Sequence, residues 1–420
     1  MNCGCDSLAS GLLDPFVARA RLIEAARPIA GQQRCGLEQA RGRVLAEDIV
    51  ARHDMPGVDN SAMDGYALRL AELLHNESVG EGLPIVQRIP AGAGVTPLDE
   101  GSCARIFTGA PIPLGADCVI PQEATWIDGP GHLRVEGTFS VGANIRRRGE
   151  ETREGSRLLA AGTYLDAPAL ALLATQGIAE VRVRPRLAVA LISTGDELLE
   201  PGERYVPGRV YNSNRVMLQA LLEQQNCEVL DLGIQPDDRE SLHRALRIAR
   251  DSADLVLCTG GVSVGEEDHM RPVIESMGHI DFHGLAIKPG KPFTFAWLGD
   301  AAGGGTPLIG LPGNPVASLV GWQLLGLPFV HGRQGRRPAP LQHFPVSAGF
   351  SRPASRERYE LLRVVLEWRC GDPMAQLAGG QGSHMLSAAS QADGYLLVSP
   401  GDPIDEGRGY AYLPISQFSV

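Results

Sequence analysis

The sequence predicts an α/β-plus-β chain of several domains: a central open, mostly parallel sheet, a small β-rich insertion ahead of it, and a β domain after it. Three observations carry this. At 420 residues the chain is too long for one compact core, since domains run to ~150 residues. From residue 186 onward short apolar runs alternate with segments of helical period, as in sheets covered by helices on both faces. In 49–141, and again beyond 335, short β-like runs broken by Gly and Pro replace that pattern. The expected organisation is 7–48 with 142–185 as an N-terminal helical and extended domain, 49–141 as the insertion, 186–334 as the α/β domain and 335–420 as a C-terminal β domain.

The elements follow in order. Asp14 can cap a first helix, Pro15 suits its first position, and Phe16, Val17, Ala20 and Ile23 follow at helical spacing. Runs at 84–89 and 102–107, with glycine- and proline-rich turns at 91–94 and 110–113, read as strands of the insertion. In the α/β part, 187–192 reads as a buried strand ending in a Thr194-Gly195 turn. A helix carrying Val216, Met217, Ala220 and Leu221 and a strand at 228–232 come next. The following helix has Asp237 as its cap, Glu240 three residues on, and Leu242, Ala245, Leu246 and Ala249 on one face. Strands at 254–258 and 308–311, a helix with Met270, Val273, Ile274 and Met277, and an apolar helix from Asn314 complete it. The terminal strands are expected at 360–367, 395–398 and 410–413.

Composition narrows the class. A net charge of −11 argues against a nucleic-acid or anionic-membrane surface, so an anionic ligand needs a local basic cluster. The longest apolar stretch, 315–330, is interrupted by Ser318 and Gln323 and is shorter than a membrane span. No secretory leader is visible, and the eight scattered cysteines read as reduced thiols of a cytoplasmic protein. Cys3 and Cys5, one residue apart, do not match a zinc spacing.

Lysine occurs twice in the whole chain, at Lys288 and Lys291, against 36 arginines. A compact ammonium with three donors does what a planar guanidinium cannot. The Lys288-Pro289-Gly290-Lys291 segment is either a turn with two solvated charges or a clamp for a phosphate or oxyanion.

Ligands of open α/β sheets bind outside the carboxyl ends of the strands. Three such ends carry suitable residues: Ser193-Thr194-Gly195-Asp196-Glu197, Thr259-Gly260-Gly261-Val262-Ser263, and Pro312-Gly313-Asn314-Pro315. Glycines allow close backbone approach to an anion, and Asn314 with Pro315 opens a helix whose first N–H groups are free. Asp196, Glu197, Asp237, Asp238 and Asp268 lie near the same ends and suit magnesium beside substrate phosphates, although Asp237 and Asp268 equally fit helix caps. No zinc signature, Walker A sequence or Gly-x-Ser-x-Gly elbow is present. Two further segments carry dense functionality: 58–67, with Asp59, Asn60, Ser61 and Asp64, and 144–151, with Arg146, Arg147 and Arg148 beside two glutamates. The latter is a solvated face or a fork for a terminal phosphate.

Taken together, DNSAMDGYA at 59–67, FTGAPIP at 107–113, NIRRRGE at 144–150, STGDEL at 193–198, TGGVSVG at 259–265, KPGKP at 288–292 and GLPGNP at 310–315 resemble the molybdopterin molybdenumtransferase family, related to the E domain of gephyrin. The resemblance implies an elongated four-domain subunit with a molybdopterin-binding α/β domain and a β-barrel-like last domain, acting as a cytoplasmic homodimer. It implies that adenylylated molybdopterin and molybdate are converted, with Mg²⁺, to molybdenum cofactor and AMP. Other cofactor-biosynthesis proteins and molybdoenzymes are implied partners.

Residue by residue, the resemblance gives Asp196, Glu197, Asp237, Asp238 and Asp268 to metal and phosphate, and Lys288 and Lys291 to the oxyanion and phosphates. Thr194, Gly195, Asn212, Gly260, Gly261, Ser263, Pro312, Gly313 and Asn314 would cradle substrate. Asp59, as a catalytic group, and Ser61, with Thr108, Arg146, Arg147 and Arg148, would enter from the second subunit, and Ser383 would close the cleft. One departure stands out. Where relatives carry a basic residue four positions before the first lysine, this chain has Gly284, so His283 or an arginine must substitute. Two other readings are an adenylyltransferase of the same pathway and a non-catalytic scaffold. The first needs neither the 59–67 segment nor the last domain, and for the second no partner-binding segment is visible.

Overall fold

The computed structural model describes residues 11–78, 81–129, 131–261, 269–300, 304–337, 339–355, 357–369 and 371–418. They divide into two compact units. One comprises the chain up to Ala46, Gly162–Leu170 and everything from Glu180 on; the other comprises Glu47–Ala161 and Ala171–Ala179. The four-part division read from the sequence is finer than this partition.

The first unit is organised by a six-stranded sheet. Its spatial order is Glu228–Gln235, Ala188–Thr194, Leu255–Thr259, Thr306–Leu311, Thr294–Leu298 and Gly278–His283. The first four strands are parallel, and two antiparallel strands extend one edge. The central strands are apolar on both faces because both faces are covered. Val189, Leu191, Leu255, Leu257 and Ile309 pack with Leu218 and Leu222 of the helix Ser213–Gln224 and with Trp322 and Phe329. Ala190, Ile192, Val256 and Cys258 pack with Leu242, Ala245, Leu246 and Ala249 of the helix Arg239–Ser252. Leu246 is fully buried, so Leu246→Ala would cost about 2–5 kcal/mol.

The helix Pro15–Ala25 starts as expected: Asp14 Oδ1 accepts from the N–H of Phe16 at 2.8 Å and of Val17 at 3.1 Å. Its Ala18 and Leu22 join the same core as the sheet. The cap of Arg239–Ser252 differs from expectation. Asp238, not Asp237, accepts the N–H of Ser241 at 2.9 Å, because the helix begins one residue later and leaves Asp237 outside it.

At the C-terminal end, Phe344–Ala348, Asp372–Leu377, Tyr359–Arg369, Gly394–Val398 and Gly409–Pro414 pair in a ring that closes into a barrel. Closure removes free sheet edges, and Val346, Leu362, Val364, Leu396 and Tyr412 fill the interior. Outside the ring, the two-residue strand Ile287–Lys288 runs parallel to Tyr359 and Glu360.

The second unit holds another six-stranded sheet, in the order Cys118–Pro121, Gly65–Leu68, Cys103–Ile106, Leu83–Ile89, His132–Val135 and Thr125–Ile127. Apolar clusters occupy both of its faces. Within this unit Asn60–Ser61 pairs with Ile145–Arg146, which joins the two polar segments singled out in the sequence. Cys35, Cys103, Cys118, Cys227 and Cys258 are buried and form no disulfide among the described residues, and burial pushes the thiols of Cys103, Cys118 and Cys227 up to about 12. No helix among the described residues is long and apolar enough to cross a membrane.

Candidate functional site

Parallel strands bring their carboxyl ends to one edge of the sheet, and a cleft of about 520 Å³ opens there. Thr194 from one strand, Thr259 and Gly260 from the next, and Pro312, Gly313 and Asn314 from the third line it, with Glu197, Asn212 and Asn214 on the flank. Thr194 Oγ1, Asn212 Nδ2 and Asn214 Oδ1 are buried without a hydrogen-bond partner among the described residues. An unsatisfied buried polar atom costs about 1–3 kcal/mol, so three around one cleft mark it as a site for a polar ligand. Asn214 was not foreseen. It lies two residues beyond Asn212 at the helix start, and its Nδ2 donates to the Gly313 carbonyl at 2.8 Å.

The glycines act differently from expectation. The Gly260 N–H donates to the Leu311 carbonyl at 3.3 Å and so is not free for an anion. At φ +82, a Cβ on Gly260 would lie 2.3 Å from the Thr194 carbonyl oxygen, so this glycine lets two strand ends pack together. Gly195, at φ +142, leaves room for the Glu197 carboxylate, which would lie 2.5 Å from a Cβ there. The helix Pro315–Gly321 also departs from the reading. Asn314 makes no side-chain cap bond, and the Val316 N–H is taken by the Ser383 carbonyl at 3.0 Å. That bond ties Ser383 to this strand end. Ser263 and Asp268 lie outside the described residues, and Gly261 precedes that gap at φ +62.

The carboxylates Asp196, Glu197 and Asp237 influence one another. The Asp237 N–H approaches Asp196 Oδ1 at 3.4 Å. Burial, followed by the Asp196 and Glu197 charges, raises the Asp237 carboxyl above the usual range, although a hydrogen bond from the Asp196 backbone N–H to that carboxyl opposes this. His269 also faces Asp237 and lowers it slightly. Asp238 is instead held below the usual range, first by the Ser241 N–H, as befits a helix cap. Among the described residues no three His, Cys, Asp or Glu side chains form a ready-made metal site.

Lys288, Gly290 and Lys291 line a second cleft of about 310 Å³, with Arg358, Gln381 and Ser383 on its other wall. The two clefts adjoin, since Pro292, Pro312 and Asn314 line both. Lys288 Nζ pairs with Glu360 Oε1 at 2.9 Å, and Arg352 Nη2 lies 3.6 Å from the same oxygen. Arg363, fully buried in the same strand as Glu360, donates from Nη2 to the carbonyls of Gly380 and Gly382 at 2.9 and 3.1 Å. It thereby holds the segment bearing Ser383. Neither Glu360, Arg358 nor Arg363 was foreseen; the available signal was Glu360 and Arg363 inside the apolar run that opens the strand Tyr359–Arg369. His283 is not a substitute cation. Burial, and then Arg271 and Lys291, lowers its pKa, and its Nδ1 is bonded to Thr294 Oγ1 at 2.8 Å. Arg358 is the arginine on the cleft wall.

The remaining expected residues belong to the second unit. Asp59 Oδ2 pairs with Arg147 Nη1 at 2.7 Å, and its Oδ1 accepts the Arg148 N–H at 2.8 Å. Arg148 Nε pairs with Asp54 Oδ2 at 2.5 Å, while Arg146 is exposed on the strand opposite Asn60. Thr108 donates through both N–H and Oγ1 to Asp64 Oδ1 at 2.8 Å. Ser61 departs from its expected substrate contact: it is fully buried, and its hydroxyl donates to the Met63 carbonyl at 2.6 Å, bracing the turn.

Comparison with known proteins places these features. Residues 16–177 match the MoeA N-terminal region (domain I and II), 190–332 a probable molybdopterin binding domain, and 345–415 the MoeA C-terminal region (domain IV). The chain is 36% identical to the molybdopterin molybdenumtransferase of Haemophilus influenzae, over 91% of this chain and 93% of that one. It is 33% identical to molybdopterin molybdenumtransferase 2 of Mycobacterium tuberculosis, over 93% and 95%. The crystal structure of the molybdopterin biosynthesis MoeA protein from Pyrococcus horikoshii OT3 superposes with a TM-score of 0.78 at 28% identity, covering 96% of this chain and all of that one.

Proposed function

The chain belongs to the molybdopterin molybdenumtransferase family, and from that premise we propose that it inserts molybdenum from molybdate into adenylylated molybdopterin, releasing AMP and molybdenum cofactor. The observation that supports this best is the adjacency of two chemically different clefts. One carries the Glu197 carboxylate and unsatisfied polar atoms at glycine-lined strand ends; the other carries the only two lysines. A phosphoanhydride and a dianionic oxyanion need such neighbours.

In this reading Thr194, Asn212 and Asn214 bind the polar parts of the nucleotide and pterin, and the Gly313 turn lets the phosphates come close. Lys288, Lys291 and Ser383 gather molybdate from the adjoining cleft. Each ammonium offers three donors to an oxyanion and neutralises part of its charge.

Magnesium fits the donor set, because hard carboxylate oxygens are crowded until the Asp237 carboxyl is raised, and substrate phosphates complete the remaining positions. One or two of Asp196, Glu197 and Asp237 would hold it, with waters and phosphates making up the rest and Asp268 as a further candidate. When bound, the ion would neutralise the phosphates and assist departure of AMP. Asp238 is committed to its helix. Asp59, Thr108, Arg146, Arg147 and Arg148 would be supplied by a second copy of the chain, in a cytoplasmic homodimer of four-domain subunits. Other enzymes of cofactor synthesis and recipient molybdoenzymes would be its partners.

The decisive measurement is release of AMP from adenylylated molybdopterin by the purified protein. Release should depend on both molybdate and Mg²⁺; a rate indifferent to both would end this reading.

A further inference from the structure

We propose that Glu360, on the C-terminal barrel, is a positioning residue for Lys288: it holds the ammonium at the cleft and sets the affinity for molybdate without touching it. This rests on the reading of Lys288 as an oxyanion ligand.

The backbone brings the two together. Ile287–Lys288 pairs with Tyr359 and Glu360 in parallel register, and the Tyr359 N–H donates to the Ala286 carbonyl at 2.9 Å. The Glu360 side chain is only 4% exposed, whereas that of Lys288 is 47% exposed. A carboxylate buried to that degree requires a cation, so the 2.9 Å pair to Lys288 holds the flexible partner against the fixed one. Arg352, at 3.6 Å from the same oxygen, supplies a second positive charge. Two cations therefore share one carboxylate, and Lys288, the nearer, is the one on the wall that Lys291 and Arg358 also line. A free lysine surrenders the rotamer freedom of a four-carbon stem when it grips an anion. One already held has surrendered it on folding, so the anion binds at lower entropic cost.

The test is steady-state AMP release as a function of molybdate and of adenylylated molybdopterin, for wild type, Lys288→Ala, Glu360→Gln and the double variant. Glu360→Gln should raise the KM for molybdate roughly tenfold, with kcat and the KM for adenylylated molybdopterin near wild type. Added to Lys288→Ala it should raise the molybdate KM no further. Arg352→Gln removes a neighbouring charge but leaves the Lys288 pair, and should leave the molybdate KM within about twofold of wild type. An unchanged molybdate KM in Glu360→Gln, with Lys288→Ala impaired, overturns the proposal and spares the reading of Lys288. The same rise in both backgrounds reduces Glu360 to a structural residue and overturns it too. An unchanged KM in Lys288→Ala sinks the reading itself. Should Glu360→Gln fail to fold, Glu360→Asp keeps the charge but withdraws it by one methylene. It should show the same split at smaller amplitude, and an unchanged KM there overturns the proposal.

Discussion

Two cationic segments serve this molecule, and they are held in opposite ways. Lys288, in the first unit, is paired with a carboxylate sealed inside the protein. Arg147 and Arg148, in the second, are paired with Asp59 and Asp54, and both arginines are more than half exposed. A buried partner resists screening by salt and fixes a charge in place; an exposed pair is worth about 0.2–1 kcal/mol and exchanges readily with solvent or ligand. In the proposed function the lysine is pre-placed for a small oxyanion, while the arginines would be given up to a phosphate without large cost to the fold.

The largest expected effect probes the lysine side. Lys291→Ala should lower molybdate-dependent AMP release by about 10²-fold or more while leaving the thermal midpoint nearly unchanged, because Lys291 is exposed. Wild-type turnover in that variant would erase the contrast.

The carboxylates around Glu197 sharpen it. Asp237 has its pKa raised by burial and by Asp196 and Glu197, so the folded state holds the proton more tightly than the unfolded chain. Its ionisation therefore costs stability, and that cost grows as pH rises from the ordinary carboxylate value through the raised one. Asp237→Asn should raise the melting temperature of the magnesium-free protein at pH 7.5, raise it less at pH 4, and depress magnesium-dependent AMP release. A less stable variant at pH 7.5 would contradict the crowding described here.

A smaller effect is expected on the arginine side. Arg147→Ala should raise the KM for adenylylated molybdopterin by about tenfold, leave the molybdate KM alone, and scarcely move the melting temperature. Wild-type activity should weaken with added salt chiefly through that same KM; a salt effect confined to the molybdate KM would reverse the assignment.

The smallest concerns acid. The Arg148 N–H, and then the Arg147 guanidinium, hold the Asp59 carboxyl below the usual range. The stability it contributes is present above the unfolded value and is lost as pH falls through the lower folded value. A carboxyl titration followed by NMR should find Asp59 ionised below pH ~3.9, and Arg147→Ala should move it back only part of the way.

Legibility in the sequence followed the range of the interaction. The start of the first helix was readable because Asp14 and Pro15 are adjacent in the chain; its buried face was not, since Ala18 and Leu22 point into the core while Val17 and Ala20 are exposed. The central strands were readable because burial on both faces demands unbroken apolar runs. The cap of the helix Arg239–Ser252 was misplaced by one residue, since Asp237 and Asp238 are chemically interchangeable in a sequence and only the backbone decides which is outside the helix. Ser61 looked like a ligand for the same reason: a hydroxyl in a polar turn carries no sign of which way it points.

What the amino-acid order settled alone is the set of parts: strands, helices, three glycine-bearing strand ends, a carboxylate-rich edge and a solitary pair of lysines. These depend on contacts between near neighbours and on the burial each segment can support. The tertiary structure decided the assignments among the parts. It put Glu360 beneath Lys288, Asn214 against the Gly313 carbonyl, and the Thr194 hydroxyl against two glycines. Each joins side chains whose separation is a property of the packed core, not of the chain between them.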